Sequence, residues 1–308
     1  MAAKHVAVLM GGWVAERPVS LSTGAECAKA LEEAGYRVTR IDVDRDVSAV
    51  LKDLKPDVVF NALHGPFGED GCVQGILEFL NIPYTHSGVM ASSLAMNKVK
   101  AKAVMAAAGV PITDHVVVGR SEILRDHPMA PPYVLKPINE GSSFGVLIVK
   151  QDQEFPPQEL SRGDWPFPEV LMCEKFIRGR ELTCAVMDDR PLGVIDIITQ
   201  GQAFYDYDAK YAQGGSKHIL PAKISPIVYQ TIETLAVKAH QSLGCRGVSR
   251  ADFRFDERED GTGDLICLEV NTQPGMTPTS LVPEMAAHKG MSFKDLVSWM
   301  VEDASCCR

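Results

Sequence analysis

The sequence lacks the features of a membrane or exported protein. It has no apolar stretch long enough to span a bilayer, and no signal-peptide apolar region follows Met1. It also has no internal repeat and no low-complexity segment. We therefore expect a cytoplasmic protein without a membrane partner. The net charge of −9 is a weak argument against nucleic acid as the main partner.

The cysteines do not form a recognisable disulfide framework. There are eight of them, none in a Cys-x-x-Cys pair, and Cys306 and Cys307 are adjacent in the C-terminal tail. Scattered cysteines are typical of reduced thiols in a cytosolic protein. We assign them to the core and the surface.

Two common nucleotide-binding motifs are missing as well. The Gly- and Ser-rich segment after Lys136 does not have the Gly-x4-Gly-Lys-Ser/Thr pattern of a Walker P-loop. Gly11 and Gly12 end a predicted strand, but without Gly-x-Gly-x-x-Gly spacing. Asp42, at the end of the second predicted strand, could bind a ribose. A dinucleotide-dependent oxidoreductase therefore remains an alternative, which a measurement of NAD(H) binding would test.

Strands and helices alternate in the first third of the chain. We predict strands at His5–Met10, Arg37–Val43, Val58–Leu63 and Ile82–Thr85, and helices at Ser20–Ala34, Val47–Leu54 and Cys72–Leu80. This alternation indicates a parallel sheet with helices on both faces. Ligands bind beyond the carboxyl ends of such strands, where Gly11, Gly12, Glu16 and His64 lie.

The rest of the chain has a different pattern. A helix is predicted at Ser92–Ala108, and short alternating runs between residues 115 and 198 indicate an antiparallel region. Residues 199–222 have no clear period, and a loop of this length in a compact enzyme is typical of a lid. We then predict a long helix (Ile227–Leu243), a strand hairpin, a polar loop and a final helix near Phe293–Val301.

The predicted hairpin carries acidic groups on apolar, strand-like runs. Because side chains alternate along a strand, Glu269 and Asn271 share one face. Asp252 and Arg250 can join them from the partner strand. Carboxylates gathered over a sheet repel each other unless a cation lies between them. A Mg²⁺ ion that carries a polyphosphate suits this set, so we predict a nucleotide-dependent enzyme.

Two further segments suit a nucleotide, although each also has an ordinary interpretation. The glycines and serines that follow Lys136 can offer backbone N–H groups to phosphate, or form a common hairpin loop. Glu174, Phe176 and Ile177 can provide an acceptor and an apolar slot for adenine. Alternatively, Glu174 and Lys175 are a surface pair at the end of a strand. Glu181 could meet the ribose hydroxyls.

Two loops suit a small polar substrate. Lys210 and Tyr211, in the predicted lid, would bring charge and a hydroxyl to the substrate on closure, or belong to a solvated loop. The loop from Asn271 to Ser280 follows the acid-bearing strand directly, and its prolines and hydroxyls suit substrate recognition. His64 is better suited to orienting a substrate or a loop than to binding a metal.

In chain order, the motifs resemble those of one enzyme family. They are Gly-Gly-x3-Glu-Arg, Leu-His-Gly, Glu-Asp-Gly-x-x-Gln-Gly, Lys-Pro-x3-Gly-Ser-Ser, Tyr-Asp-x-x-x-Lys-Tyr, Arg-x-Asp, Glu-x-Asn-x-x-Pro-Gly-Met-Thr and Ser-Leu-Val-Pro. From Val6 to about Val301, the chain resembles the D-alanine–D-alanine ligases of the ATP-grasp superfamily. The resemblance implies ATP-dependent ligation of two D-alanines through an acyl phosphate, for peptidoglycan precursor synthesis, with release of ADP and phosphate.

The resemblance also implies an architecture. The fold class is α/β (α+β), an ATP-grasp fold with an N-terminal parallel α/β domain. We expect an N-terminal substrate domain at residues 1–95, a central subdomain at 96–190 and a C-terminal subdomain at 191–308 that contains the lid, 199–222. ATP would lie between the last two. The family commonly forms homodimers, so a homodimer is expected, with D-alanine and ATP as small-molecule partners.

The cofactors implied are ATP and two Mg²⁺ ions, with Mn²⁺ as a substitute. The residues that the resemblance assigns to the nucleotide are Lys98, Lys136, Glu174, Lys175, Phe176, Ile177, Glu181 and Lys210. Those assigned to the metal ions are Asp252, Glu269 and Asn271.

The substrate residues form two implied groups. Glu16 receives the ammonium of the first D-alanine, and Ser142 and Tyr211 form a hydrogen-bonded set with it. The carboxylate of the second D-alanine is bound by Ser280 and the Leu281 backbone. Oxyanion charge is stabilised by Arg250 and the Gly275 N–H.

Departures from the family pattern are few. They are Trp13 and Val14 after the glycine pair, Asn97 before Lys98, and Gln273 in place of serine or threonine. None removes an implied ligand, but Trp13 could reshape the entrance to the first substrate site. Relatives that make D-alanyl-D-lactate lack the Lys210-Tyr211 pattern, so a dipeptide product is expected. A depsipeptide or D-alanine–D-serine ligase, and a regulatory nucleotide-binding module without turnover, are the alternatives.

Overall fold

The computed structural model describes residues 3–142, 144–152, 155, 157–199 and 216–307. They form three β-sheets, of three, four and five strands, with helices packed around them. Within these ranges, no helix is both long enough and apolar enough to cross a bilayer.

The N-terminal sheet is parallel, as the alternating pattern predicts. Its strands are β1 (His5–Gly11), β2 (Arg37–Val43) and β3 (Val58–Asn61), in the order β2-β1-β3. The helices of this region are α1 (Arg17–Glu33), α2 (Val47–Leu54) and α3 (Cys72–Leu80). Nearly every residue of β1 is buried, which explains its continuous apolar run.

The predicted fourth strand at Ile82–Thr85 is wrong in extent. Only Tyr84 pairs there, through two isolated bridges, one parallel to Val59 and one antiparallel to Ser305. Pro83 accepts a hydrogen bond from the Val59 N–H, but it has no N–H of its own to extend a ladder.

The predicted single helix at Ser92–Ala108 is two helices, α4 (Val89–Met96) and α5 (Lys98–Ala107). Asn97 separates them with an extended backbone. Its side-chain oxygen accepts a hydrogen bond of 3.0 Å from the Lys100 N–H, so Asn97 is the N-cap of α5.

The antiparallel part of the chain forms two sheets. The four-stranded sheet has the order β4-β7-β5-β6, and its strands are β4 (His115–Gly119), β5 (Tyr133–Pro137), β6 (Leu147–Val149) and β7 (Val170–Lys175). The five-stranded sheet has the order β10-β9-β8-β11-β12, with strands β8 (Arg180–Met187), β9 (Arg190–Thr199), β10 (Ser216–Ile219), β11 (Val248–Glu257) and β12 (Gly263–Asn271). The remaining helices are α6 (Arg120–Ile123), α7 (Pro226–Ser242), α8 (Leu281–His288) and α9 (Phe293–Asp303), with a short 3₁₀ helix at Gln158–Ser161.

These sheets bear on the predicted domain boundaries. A boundary at residue 190 would separate β8 from β9, which pair over most of their length. Sheet membership favours a boundary between Lys175 and Arg180 instead. The division into three domains otherwise remains a prediction.

Two elements in the last third of the chain differ from the sequence prediction. The predicted loop at 199–222 contains β10, which pairs with β9; most of that loop, with Lys210 and Tyr211, lies outside the described residues. Helix α8 was not predicted. It starts at the N-cap Ser280, directly after the polar loop, and Pro283 lies in its first turn, where proline is tolerated.

One buried cluster joins the N-terminal sheet to the C-terminal helices. It contains Val6 and Phe60 of the sheet together with Met285 of α8 and Met300 of α9. A hydrogen bond of 2.8 Å from Asn61 to Gln273 ties the end of β3 to the loop after β12. The carboxyl ends of the parallel strands are thereby held beside that loop.

Candidate active site

A cleft lies between the four-stranded and five-stranded sheets. Seven residues predicted to bind the nucleotide line it: Lys98, Lys136, Glu174, Lys175, Phe176, Ile177 and Glu181. Asp252 and Glu269 line the same cleft. Residues that are far apart in sequence therefore converge as predicted.

The acid-bearing hairpin forms one end of the cleft. Strands β11 and β12 pair antiparallel, with Asp252 opposite Glu269 and Arg250 opposite Asn271. Arg250 donates two hydrogen bonds of 2.8 Å to the carboxylate of Asp252, and the Asn271 amide donates one of 2.9 Å. The predicted grouping on one face is confirmed.

This donor set fits a hard cation that is also bound by phosphate. Within the described ranges, no group of three His, Cys, Asp or Glu side chains could hold a metal alone. The hairpin offers two carboxylates, and the amide oxygen of Asn271 because its nitrogen donates to Asp252. Such a set leaves coordination positions for phosphate oxygens and water, as Mg²⁺ requires.

Lysines surround Glu174 beside this end of the cleft. Lys136 forms an ion pair with one carboxylate oxygen, and the Lys102 Nζ lies 3.1 Å from the other. Burial alone would raise the pKa of Glu174, but Lys136 and Lys102 together hold it below its ordinary value. Both oxygens of Glu174 thus face lysines, which the adenine-acceptor hypothesis did not anticipate.

The apolar end of the cleft contains an arginine that we did not predict. Arg254 donates one hydrogen bond of 3.2 Å to the Ile177 carbonyl and another of 3.2 Å to Glu181. Its guanidinium carbon lies 5.9 Å from the centre of the Phe176 ring. The sequence could have predicted this position. Arg254 is two residues after Asp252, and side chains two residues apart on a strand lie on the same face.

Glu16 lies outside the cleft, in the segment between β1 and α1. It is 2% exposed, and its Oε1 has no hydrogen-bond partner among the described residues. Burial raises the pKa of Glu16, and the nearby carboxylates of Glu69 and Glu140 add to this effect. A Cβ at Gly65 would meet Oε2 at 2.6 Å, so glycine is needed for this close approach.

His64 is held by its neighbours on both sides of the ring. Its Nε2 is 3.1 Å from the Thr23 hydroxyl, and its Nδ1 is 3.2 Å from Glu69. Glu69 also accepts a hydrogen bond of 2.8 Å from the Gly65 N–H. This geometry suits the predicted orienting role better than metal binding.

The Gly- and Ser-rich loop reaches both regions. Gly141 lies against Glu16, because a Cβ at Gly141 would be 3.4 Å from its Oε1, and Gly141 also lines the cleft. Ser142 has a positive φ of 50°, which is uncommon for a residue other than glycine. Ser143 lies outside the described residues.

The loop after β12 forms the remaining part of the site. Ser280 Oγ accepts a hydrogen bond of 3.1 Å from the Thr277 N–H, and a Cβ at Gly275 would lie 3.3 Å from it. Leu281 is the first residue of α8, where backbone N–H groups are left without helical partners. The Ser280–Leu281 corner is therefore suited to binding an anion.

Comparison with known proteins gives a consistent result. A family model described as the D-ala D-ala ligase C-terminus matches residues 104–302, and one described as the N-terminus matches residues 47–87. The D-alanine–D-alanine ligases of Sinorhizobium medicae and Agrobacterium fabrum are 65% and 66% identical to this chain, over all 308 residues and their own full length.

A solved structure agrees with the sequence relatives. The D-alanine–D-alanine ligase of Bacillus anthracis, crystallised with ATP, superposes with a TM-score of 0.82 at 28% identity, covering 98% of this chain and 97% of its own. Together with the cleft and its residues, these similarities show that the chain is an enzyme that belongs to the D-alanine–D-alanine ligase family.

Proposed function

We propose that this chain ligates two D-alanines with ATP bound between the four-stranded and five-stranded sheets. The observation that carries the proposal is the convergence of the acid-bearing hairpin with Lys98 and Lys136 in one cleft. Both partners of the first step, a carboxylate and ATP, are anions. Cations gathered at one place are what that step needs.

Asp252, Glu269 and Asn271 are proposed to hold two Mg²⁺ ions, for which Mn²⁺ can substitute. When bound, the ions neutralise phosphate charge during phosphoryl transfer. Arg250 is hydrogen-bonded to Asp252, so its guanidinium would lie beside the reacting groups. Lys98, whose Nζ lies 3.6 Å from Glu269, adds charge on the nucleotide side.

The nucleotide is proposed to lie along the length of the cleft. Phe176 and Ile177 would cover adenine, and Glu181 would bind the ribose while Arg254 orients it. Glu174 is proposed to hold Lys136 at the phosphates. Lys175 also lines the nucleotide cleft, and Lys210 of the predicted lid would reach the γ-phosphate.

The first D-alanine is proposed to place its ammonium against Glu16. A buried carboxylate with an oxygen that lacks a partner is costly unless a cation binds it. Ser142 and Tyr211 would complete a hydrogen-bonded set around this substrate, and His64 would orient it.

The second D-alanine is proposed to bind through its carboxylate. Ser280 and the Leu281 N–H, at the start of α8, would receive it. Arg250 and the Gly275 N–H would then stabilise the oxyanion that forms at the carbonyl of the first D-alanine.

Two chemical steps follow from this arrangement. A carboxylate oxygen of the first D-alanine attacks the γ-phosphorus, which gives an acyl phosphate and ADP. The free amine of the second D-alanine then attacks the acyl carbon, and phosphate leaves from the tetrahedral intermediate. Closure of the predicted lid would keep water from the acyl phosphate. The product would serve peptidoglycan precursor synthesis in the cytoplasm.

A direct assay tests this function. Purified protein is given ATP, Mg²⁺ and D-alanine, and ADP release is measured together with product mass. We expect ADP release only with D-alanine, and D-alanyl-D-alanine as the product. Added D-serine or D-lactate that displaces D-alanine from the product would favour the alternative ligases. The absence of D-alanine-dependent ADP release would contradict the proposal.

We also propose a homodimer. The support is exposed apolar surface on α3 and α4, which pack against each other: Phe79 is 93% exposed and Met90 is 72% exposed. Light scattering after size exclusion should give twice the mass of the chain. Phe79→Glu should shift the mass toward the monomer, whereas a monomeric wild type would contradict the proposal.

A further inference from the structure

Lys102 has no role in the mechanism proposed above, yet burying its charged side chain costs folding free energy. It lies on α5 and is 0% exposed. Its Nζ makes no hydrogen bond of good geometry within the described part of the chain, and its charged partner is Glu174, 3.1 Å away. Removing a lysine from water in this way costs free energy that one ion pair rarely returns. Stability is therefore a poor explanation for this residue.

The position of Glu174 indicates how Lys102 can affect the site. Glu174 and Lys136 both line the nucleotide cleft, whereas Lys102 lies behind them and does not. Glu174 separates the two lysines, with one carboxylate oxygen toward each. The direct contact between Lys102 and the residues that line the cleft is therefore its ion pair with Glu174.

Charge counting shows the direction of that influence. Burial lowers the pKa of Lys102, and the Glu174 carboxylate opposes this effect. With Lys102 and Lys136 both protonated, one carboxylate lies between two ammonium groups, and the cluster of Lys102, Glu174 and Lys136 carries one positive charge in excess. Without Lys102, Glu174 would neutralise Lys136 fully. With Lys102 present, the carboxylate is shared, and part of the charge on Lys136 is left to act on an anion in the cleft.

We propose that Lys102 is a positioning residue for the nucleotide phosphates, which shares Glu174 with Lys136 and so keeps Lys136 available to the phosphate chain. The inference rests on the proposed placement of ATP in the cleft. Lys102 would thus strengthen binding of the phosphate chain of ATP, although it does not line the cleft and does not contact the nucleotide.

The test compares ATP with adenosine, which lacks the phosphates. Affinities are measured by competition with a fluorescent ATP analogue, for wild type and for Lys102→Met. We expect ATP to bind about tenfold more weakly to the variant, the order expected for one partly screened charge. Adenosine should bind equally well to both. In turnover, the KM for ATP should rise while kcat changes little.

Two controls separate this role from packing. Lys100→Met removes the same charge from the same helix at an exposed position, and should leave ATP affinity unchanged. The melting temperature of Lys102→Met should stay within about 2 °C of wild type, because Glu174 keeps Lys136 as a partner.

A second variant tests the route through Glu174. In the Glu174→Gln background the carboxylate that the two lysines share is gone, so Lys102→Met should change ATP affinity much less than it does in the wild-type background. A purely structural role predicts the same loss of affinity in both backgrounds.

Three results would overturn the inference alone: equal ATP affinity of wild type and Lys102→Met, equal weakening of ATP and adenosine, or loss of the fold in Lys102→Met. A wild-type chain that binds no ATP would instead overturn the proposed function, and this inference with it.

Discussion

Compared with Glu16, the carboxylates of the nucleotide cleft are surrounded by partners. Asp252 accepts hydrogen bonds from Arg250 and Asn271, and Glu174 lies between two lysines. Glu16 and Glu174 are both almost fully buried, but Oε1 of Glu16 has neither an ion-pair nor a hydrogen-bond partner in the described part of the chain, and burial raises the pKa of Glu16.

The two sites therefore differ in how their carboxylates are partnered before a ligand binds. In the cleft, the protein supplies charged or hydrogen-bonded partners for its own carboxylates, so a nucleotide and metal ions would enter a preorganised set. Around Glu16, the described residues leave Oε1 without a hydrogen-bond partner, and the ammonium of the substrate would bind there. Substitutions in the cleft should therefore affect ATP, whereas substitution of Glu16 should affect D-alanine.

The largest expected effect comes from the proposed metal ligands. Glu269→Gln should lower D-alanine-dependent ADP release by about a thousandfold or more, because a neutral amide no longer offsets the charge of the metal ions. The fold should persist, since Glu269 is only partly buried. Asp256→Asn, an exposed change on the same hairpin, is the matched control. Near-normal turnover in Glu269→Gln would remove the basis for the metal assignment.

Glu16→Gln should have the next largest effect, confined to D-alanine. We expect kcat/KM for D-alanine to fall about a hundredfold, since a charged hydrogen bond is lost. The KM for ATP should stay within about threefold. Glu33→Gln, exposed on α1, is the control. An equal loss of ATP affinity would mean that the Glu16 site and the nucleotide cleft do not bind their ligands independently.

The same substitution has an expected pH dependence in stability. The folded-state pKa of Glu16 lies above its ordinary value of 4.5, so ionisation of Glu16 destabilises the fold. Glu16→Gln should therefore melt at a higher temperature than wild type near pH 7. This gain should disappear below about pH 4.5, where Glu16 is protonated in both states. An equal gain at all pH values would point to packing.

The smallest effect is expected at the apolar end of the cleft. Arg254→Met loses the hydrogen bonds to Ile177 and Glu181, and should weaken ATP binding about fivefold with no change in the KM for D-alanine. Arg258→Met, exposed beyond the end of β11, is the control. Unchanged ATP affinity would restrict Arg254 to a structural role.

Local periodicity was enough to predict which residues of the hairpin lie together. Alternation along β11 and β12 placed Asp252, Glu269 and Asn271 on one face, because neighbouring strands in a hairpin fix each other's register. The parallel N-terminal sheet followed from alternating strands and helices in the same way.

Contacts between distant segments were beyond such reasoning. Nothing near Lys102 indicates that α5 will bring it to Glu174 on β7, and Gln273 meets Asn61 only after the C-terminal helices pack on the N-terminal sheet. Helix α8 was missed because its eight residues are too few for a clear period.

The most direct test of the contrast is the pKa of Glu16 itself. Carbon-13 NMR of labelled glutamate carboxyl groups, with Glu16→Gln used to assign the signal, can follow its titration with and without D-alanine. We predict a pKa above the ordinary range in the free protein, and a lower one once the substrate ammonium lies beside the carboxylate. A pKa that D-alanine leaves unchanged would contradict the account.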